Sequence, residues 1–239
     1  MLKLDARGKR VLFISDTHIP YSVSGYLDFL SDLKDKFKPD ICIHGGDEVD
    51  YHSISFHKSD ASLFSAGHEL DQAIIEIQEG LHKLFPKLYL LESNHGSLVY
   101  RRLKHEGISL RHLKPLHELY ETPLWSWHDK ILLRTNTGKV LVSHGRSATA
   151  GVWSKGAGMS TVEFHYHTKF HVTHFQSEER SWFSMHCGCL ADKESMAMAY
   201  ASANIAEFIN GTGALRSDGQ PILFPYNRKK YSPPPMPLP

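Results

Sequence analysis

The chain has 239 residues, 41% of them hydrophobic and 22% charged, and lysine plus arginine (27) nearly balances aspartate plus glutamate (26). Those proportions exclude a disordered chain and leave enough apolar mass for a substantial core. A formal charge of +1 exerts no overall pull towards nucleic acid. Histidine is the outlier, at 17 residues, and imidazole is a common metal ligand, so composition raises metal binding before any motif is read.

The first predicted element is the apolar run at 10–15, Arg10-Val11-Leu12-Phe13-Ile14-Ser15, which reads as a strand buried on both faces. A helix is predicted over 24–37, with Pro39-Asp40 turning the chain out of it. Ile41-Cys42-Ile43-His44 predicts a second strand, ending in Gly45-Gly46. Over 68–85, Leu70, Ala73, Ile74, Ile77, Leu81 and Leu84 recur at three- and four-residue spacings along one helical face, and Pro86 stops it. Leu88-Tyr89-Leu90-Leu91 predicts a third strand. This alternation predicts an α/β fold with a mainly parallel sheet.

Further on, residues 130–133 and 139–142 flank Asn136-Thr137-Gly138 and predict a hairpin. Residues 162–164 and 221–224 predict further strands. A second, more antiparallel sheet is therefore expected from the C-terminal half, packed against the first in one domain over residues 1–231. The tail at 232–239, with five prolines, is expected to be extended or disordered.

Cys42, Cys187 and Cys189 supply neither a disulfide framework nor a paired zinc site and read as reduced, buried thiols. No segment joins a charged start to a long apolar stretch, and no run approaches the roughly 20 residues that span a bilayer. A soluble cytoplasmic protein with no membrane partner is expected.

Ligands in α/β folds gather at the carboxyl ends of strands. Here the first strand is followed by Asp16-Thr17-His18, the second by Gly46-Asp47-Glu48-Val49-Asp50, and the third by Ser93-Asn94-His95-Gly96. Later strands lead into Ser143-His144-Gly145 and His165-Tyr166-His167. Each has an inert reading alone: a capping Asp16, an N-cap and first-turn acid at Asp47 and Asp50, a turn at Asn94, a core histidine at His144. Their recurrence at strand ends, in order, is what favours chemistry.

Together, Asp16-x-His18, Gly46-Asp47-x-x-Asp50, Asn94-His95, His144 and His165-x-His167 resemble the calcineurin-like metallophosphoesterase superfamily. Its pattern runs DxH, GDxxD, GNH(D/E), a later His and GHxH, and the resemblance spans residues 10–170. Residues 46–55 and 188–190 are similar to small phage- and prophage-encoded members, which would place the protein in a bacterium or an infected host. The resemblance implies two mixed sheets packed as an α/β sandwich flanked by helices. It implies that Asp16, His18 and His167 hold one metal ion, that Asn94, His144 and His165 hold another, and that Asp47 bridges them. A hydroxide held between the metals would attack phosphorus, His95 would protonate the leaving oxygen, and Asp50 would orient a neighbouring histidine. Manganese is the expected metal; iron, zinc, cobalt and nickel suit the same donors, and magnesium suits them less.

Three positions depart from the pattern. Ser93 replaces a glycine, Gly96 replaces an acid that would orient His95, and Phe164 replaces the glycine of GHxH, where its bulk is expected to narrow the pocket or turn the loop. His171 and His174 compete with His165 and His167; the alternating pair at a strand end is preferred. His52, His57, His68, His82, His105, His112, His117, His128 and His186 read as polar or packing residues, with His52 the first candidate for a pocket wall.

The implied activity is a metal-dependent phosphoesterase, expected to act on a diester, with nucleic acid or a nucleotide as compatible substrates. Tyr51-His52 after Asp50 disfavours the serine/threonine phosphatase branch, which continues Arg-Gly. Basic clusters at 101–104 and 228–230 read either as polyanion contacts or as a solvated helix face and tail. The alternative is a catalytically inactive scaffold of the same fold, which Gly96 and Phe164 favour and the complete set of ligand-competent side chains opposes. Scattered histidines without a tract do not fit metal storage. Oligomeric state has no sequence signature here.

Overall fold

In a computed structural model that describes residues 1–56, 64–195 and 207–232, two six-stranded sheets pack face to face. After β1 (Leu2–Asp5), the predicted first strand forms as β2 (Val11–Ile14), with all four residues buried. The two-residue period sends Leu12 and Ile14 into the core beneath the helices. Val11 and Phe13 point the other way, into the core between the sheets.

Helix α1 (Tyr26–Phe37) begins two residues later than predicted, because Gly25 turns the chain with φ 76°. A Cβ there would lie 2.0 Å from the Tyr231 carbonyl oxygen, so no side chain fits. After β3 (Ile41–His44), a short turn at His52–Ile54 leads towards α2 (Ala66–Glu76). This helix starts two residues before the predicted boundary, since the Ser65 hydroxyl accepts from the His68 amide as an N-cap. It continues through a π-helical turn at Ile77–Leu81 into α3 (His82–Leu84). The predicted face holds: Ala73, Ile77 and Leu81 are buried, with Leu70, Ile74 and Leu84 packed against the same core. At the π turn, Gly80 lies against α1, where a Cβ would meet Leu27 Cδ1 at 2.5 Å.

The chain then forms β4 (Leu88–Leu91), α4 (Leu98–His105), α5 (Leu116–Leu119), β5 (Trp125–His128), β6 (Ile131–Thr135) and β7 (Gly138–Ser143). There follow α6 (Val152–Ala157), β8 (Ser160–Glu163), β9 (Phe170–Gln176), β10 (Ser181–Cys187), β11 (Gly211–Leu215), β12 (Pro221–Pro225) and α7 (Arg228–Tyr231). One sheet has the order β12-β11-β2-β3-β4-β5 and the other β1-β6-β7-β8-β10-β9. The predicted hairpin is β6–β7, antiparallel, with Thr135 opposite Gly138.

The α/β sandwich of two mixed sheets stands, and two details of the expectation change. The second sheet is no more antiparallel than the first: β1–β6, β7–β8 and β8–β10 are parallel, as are β2–β3, β3–β4 and β4–β5. Nor does it come only from the C-terminal half, because β1 pairs with β6 and the 221–224 strand returns as β12 to the first sheet. The pairings that decide this, β1 with β6 and β11 with β2, join segments far apart in sequence, which local patterning cannot specify. His57 and the tail beyond residue 232 lie outside the described residues. Among the described residues, no helix is long and apolar enough to cross a membrane.

Candidate metal centre

Five strand ends converge as predicted. Asp16 and His18 follow β2, Asp47 and Asp50 follow β3, and Asn94 and His95 follow β4; His144 follows β7, and His165 and His167 follow β8. The two sheets thus contribute at the same end. The loops lock through main-chain bonds: the His18 amide donates to Asp47 O at 2.9 Å and the Asp50 amide to Ile19 O at 3.0 Å. The Leu190 amide donates to Asp16 O at 2.7 Å, so the 188–190 segment braces the first loop. His18, Asp47 and His165 all take left-handed backbone, with φ of 50°, 51° and 69°. Non-glycine residues adopt that region at a cost, and such strain gathers at functional sites.

Asp16, His18 and His167 bring candidate donor atoms within 4.8 Å of one another, and Asp47, His144 and His165 do the same. In the first group His18 Nε2 lies 3.2 Å from His167 Nε2, which is 3.4 Å from Asp16 Oδ2. In the second, His144 Nε2 lies 2.7 Å from Asn94 Oδ1. Asp47 stands between: its Oδ2 is 3.7 Å from His18 Nε2 and 3.2 Å from His144 Nε2. Its Oδ1 accepts from the His95 amide at 2.9 Å.

The outer nitrogens decide which way the rings present themselves. His18 Nδ1 meets Asp50 Oδ1 at 2.5 Å, and His144 Nδ1 meets the Gly45 carbonyl at 2.7 Å. The carbonyl can only accept, and the Asp50 carboxylate accepts as well, so each Nδ1 carries the hydrogen and each Nε2 faces inward. Lone pairs of nitrogen, carboxylate and amide oxygen then confront one another inside a buried cluster, and Asp16 Oδ1 has no hydrogen-bond partner. Such a cluster demands positive charge. Burial pushes the His144 imidazole down, but the Asp47 and Asp16 carboxylates outweigh it and hold its pKa up at about 9. A proton and a divalent ion are alternatives for the same place, and mixed nitrogen and oxygen donors suit manganese, iron, cobalt, nickel or zinc.

This competition has a measurable result. Mn²⁺ added to chelator-stripped protein is expected to raise Tm by roughly 5–10 °C at a hundredfold excess over Kd. That follows from ~2.7 kcal/mol of linkage and roughly 2–4 °C per kcal/mol for a chain of this size. The rise should be larger at pH 8 than at pH 6, because fewer protons compete for Nε2. Calorimetry at both pH values checks this, and no shift at either would contradict the fit.

The departures from the family pattern have local explanations. The Ser93 hydroxyl accepts from the Asp47 amide at 2.8 Å and the Gly96 amide at 3.1 Å, holding the loop that carries Asp47. The orienting partner that Gly96 cannot supply to His95 is the Asp50 carbonyl, which accepts from Nδ1, with Asp50 Oδ1 at 3.3 Å. Phe164 does not line the metal cleft, so the expected narrowing of that pocket does not occur. Its ring is buried between the sheets against Phe13, over Gly45, where a Cβ would lie 2.4 Å from Cδ1.

His171 and His174 do not compete for the centre. They lie on the edge strand β9, where odd spacing turns them to opposite faces, and His171 packs against His186 with ring centroids 4.9 Å apart. His52 is buried behind Asp50, with Nδ1 3.8 Å from Oδ2, rather than on a pocket wall. Four members of the basic clusters are engaged with protein. Arg101 donates to Asn94 O at 2.7 Å, Arg102 to Ile54 O at 2.7 Å, and both guanidiniums cover Phe56. Arg228 pairs with Glu194 at 2.9 Å and Lys230 with Asp32 at 2.5 Å.

His44 was not singled out from the sequence. It is fully buried, burial pushes its pKa down to about 4, and its Nδ1 accepts from the Gly46 amide at 3.1 Å. Its Nε2 meets the Thr17 hydroxyl at 3.2 Å, joining the first two loops. A histidine at the end of a strand, immediately before Gly-Gly, was the available signal. A cleft of about 230 Å³ opens beside Asn94, His144 and His165, rimmed by Glu92, Asp129 and Arg146. A larger cavity of about 750 Å³ lies elsewhere, lined by Asp40, Cys42, Phe85 and Tyr89, and includes none of these metal candidates.

The sandwich and its strand-end cluster of histidines and carboxylates define a metallophosphoesterase-type protein. The profile of the calcineurin-like phosphoesterase family matches residues 9–201, and the chain belongs to that family. Among solved structures, it is similar to an archaeal phosphodiesterase at 14% identity, covering 91% of this chain and 99% of that one, with a TM-score of 0.47. It is also similar to a single-mutant form of Vps29 from Entamoeba histolytica at 9% identity, with the same coverages and a TM-score of 0.41. No curated protein matches the chain.

Proposed function

We propose that the protein is a phosphodiesterase that hydrolyses a P–O bond at a dinuclear metal site, with manganese as the resident metal and a nucleotide or nucleic acid as substrate. The position of Asp47 carries this assignment: one carboxylate oxygen faces the inward nitrogens of both His18 and His144. Asp16, His18 and His167 would hold one ion, Asn94, His144 and His165 the other, and Asp47 both. When bound, the ions supply Lewis-acid charge and acidify the attacking water.

The chain's own groups do the rest. Asp50 holds Nδ1 of His18 through its carboxylate and Nδ1 of His95 through its carbonyl. That leaves His95 Nε2 to carry the proton for the leaving oxygen. Arg146, at the cleft rim and paired with Asp129 at 3.0 Å, is placed to meet a phosphate oxygen.

The test is hydrolysis of bis-(p-nitrophenyl) phosphate by metal-stripped protein before and after Mn²⁺. Metal-dependent turnover is expected. No turnover with metal bound would contradict the assignment and favour an inactive scaffold. His95→Asn separates the proton donor from the rest. Nitrophenolate leaves without a proton, so its loss should stay below about tenfold, whereas a nucleoside alkoxide leaving group should lose roughly 10²–10⁴. Equal losses on both substrates would remove the role from His95.

A further inference from the structure

A second cavity, of about 370 Å³, adjoins the metal cleft. Tyr100 of α4, Leu110, Leu116 of α5 and Trp127 of β5 form its apolar and aromatic walls. That volume falls in the lower part of the roughly 300–1,000 Å³ range of small-molecule pockets. Glu92 and Ser93 line both this cavity and the cleft beside Asn94 and His144, so the two are immediate neighbours.

Two features keep the cavity open and its platform fixed. Gly96 is part of the lining, and a Cβ there would come within 2.9 Å of Ser93 Oγ, so a side chain at this position would crowd the wall that Ser93 forms. The Trp127 indole N–H donates to Glu48 Oε1 at 2.9 Å. Glu48 is fully buried, and its other oxygen has no hydrogen-bond partner. The indole is thereby held in one orientation, with Tyr120 and Trp125 tilted against it at 6.1 and 6.2 Å.

We propose that this cavity is the subsite for a nucleobase of the phosphoester substrate, an inference that rests on the phosphodiesterase reading above. Aromatic rings at Tyr100 and Trp127 suit the faces of a flat heterocycle, and leucines at 110 and 116 close its sides. The Glu92 carboxylate at the shared rim is an acceptor for the amino group of adenine, guanine or cytosine. The rim formed by Glu92 and Ser93, shared with the metal cleft, would turn the attached phosphate towards that cleft.

The test uses adenosine and ribose, which lack phosphate, titrated by ligand-observed NMR into chelator-stripped protein. Wild-type protein is expected to bind adenosine saturably and ribose undetectably. Tyr100→Leu should weaken adenosine by roughly fivefold or more, the scale of one lost stacking contact. Leu110→Trp, at a half-exposed rim position that tolerates the change, should fill the cavity and abolish binding. Equal behaviour of adenosine and ribose, or an adenosine preference surviving in both variants, would overturn the subsite. Turnover of bis-(p-nitrophenyl) phosphate by the same wild-type preparation, after Mn²⁺ is restored to it, reports separately on the phosphodiesterase reading. Turnover without adenosine preference removes the subsite alone. Adenosine binding without turnover keeps the pocket as a nucleoside site and removes the reaction.

Discussion

Asp47→Asn is expected to lower Mn²⁺-dependent turnover by at least about a thousandfold while leaving the fold intact. The amide matches the carboxylate in size and can still accept from the His95 amide, so the loop held by Ser93 keeps its shape. It loses the charge facing both His18 Nε2 and His144 Nε2. A ligand shared by two ions is removed from both at once, and ~4 kcal/mol of lost transition-state stabilisation is already a thousandfold. The Mn²⁺-induced rise in Tm should shrink in parallel. Steady-state kinetics with calorimetry on the same sample checks both, and turnover within tenfold of wild type would exclude a bridging role.

Phe164→Gly, which restores the glycine of the family pattern, is expected to destabilise the protein by about 3–5 kcal/mol without accelerating it. Phe164 is among the largest fully buried side chains and fills the inter-sheet core beneath Gly45. Removing it opens a cavity where nothing can collapse easily, because Phe13 and the Gly45 main chain are held by β2 and β3. Phe164 is not among the residues that line the metal cleft, so turnover per folded molecule should stay unchanged. Urea unfolding and kinetics measure the two effects separately. A rise in turnover with unchanged stability would mean that the ring blocks the cleft after all.

The contrast between Phe164 and its neighbours shows how far residues alone could be read. The buried strands β2, β3 and β4 were legible because both faces are covered, leaving unbroken apolar runs. Trp125–His128 and Phe170–Gln176 were not: the first alternates apolar and polar residues over only four positions, and the second breaks its alternation at Thr173-His174. The strand-end motifs were legible because metal chemistry restricts the residue types, and all of the proposed metal residues do converge. What holds them was hidden where the partner is a main-chain carbonyl, as with Gly45 for His144 and Asp50 for His95. A carbonyl has no residue signature. The inward turn of Phe164 was likewise invisible, because its direction depends on the close approach of Gly45 from another strand.

The proposed dinuclear centre is tested most directly by anomalous diffraction at the manganese edge on crystals grown with Mn²⁺. Two peaks are predicted: one bordered by Asp16, His18 and His167, the other by Asn94, His144 and His165, with Asp47 in contact with both. A single peak, or two peaks that leave Asp47 touching only one, would contradict the shared-carboxylate centre on which the proposed activity depends.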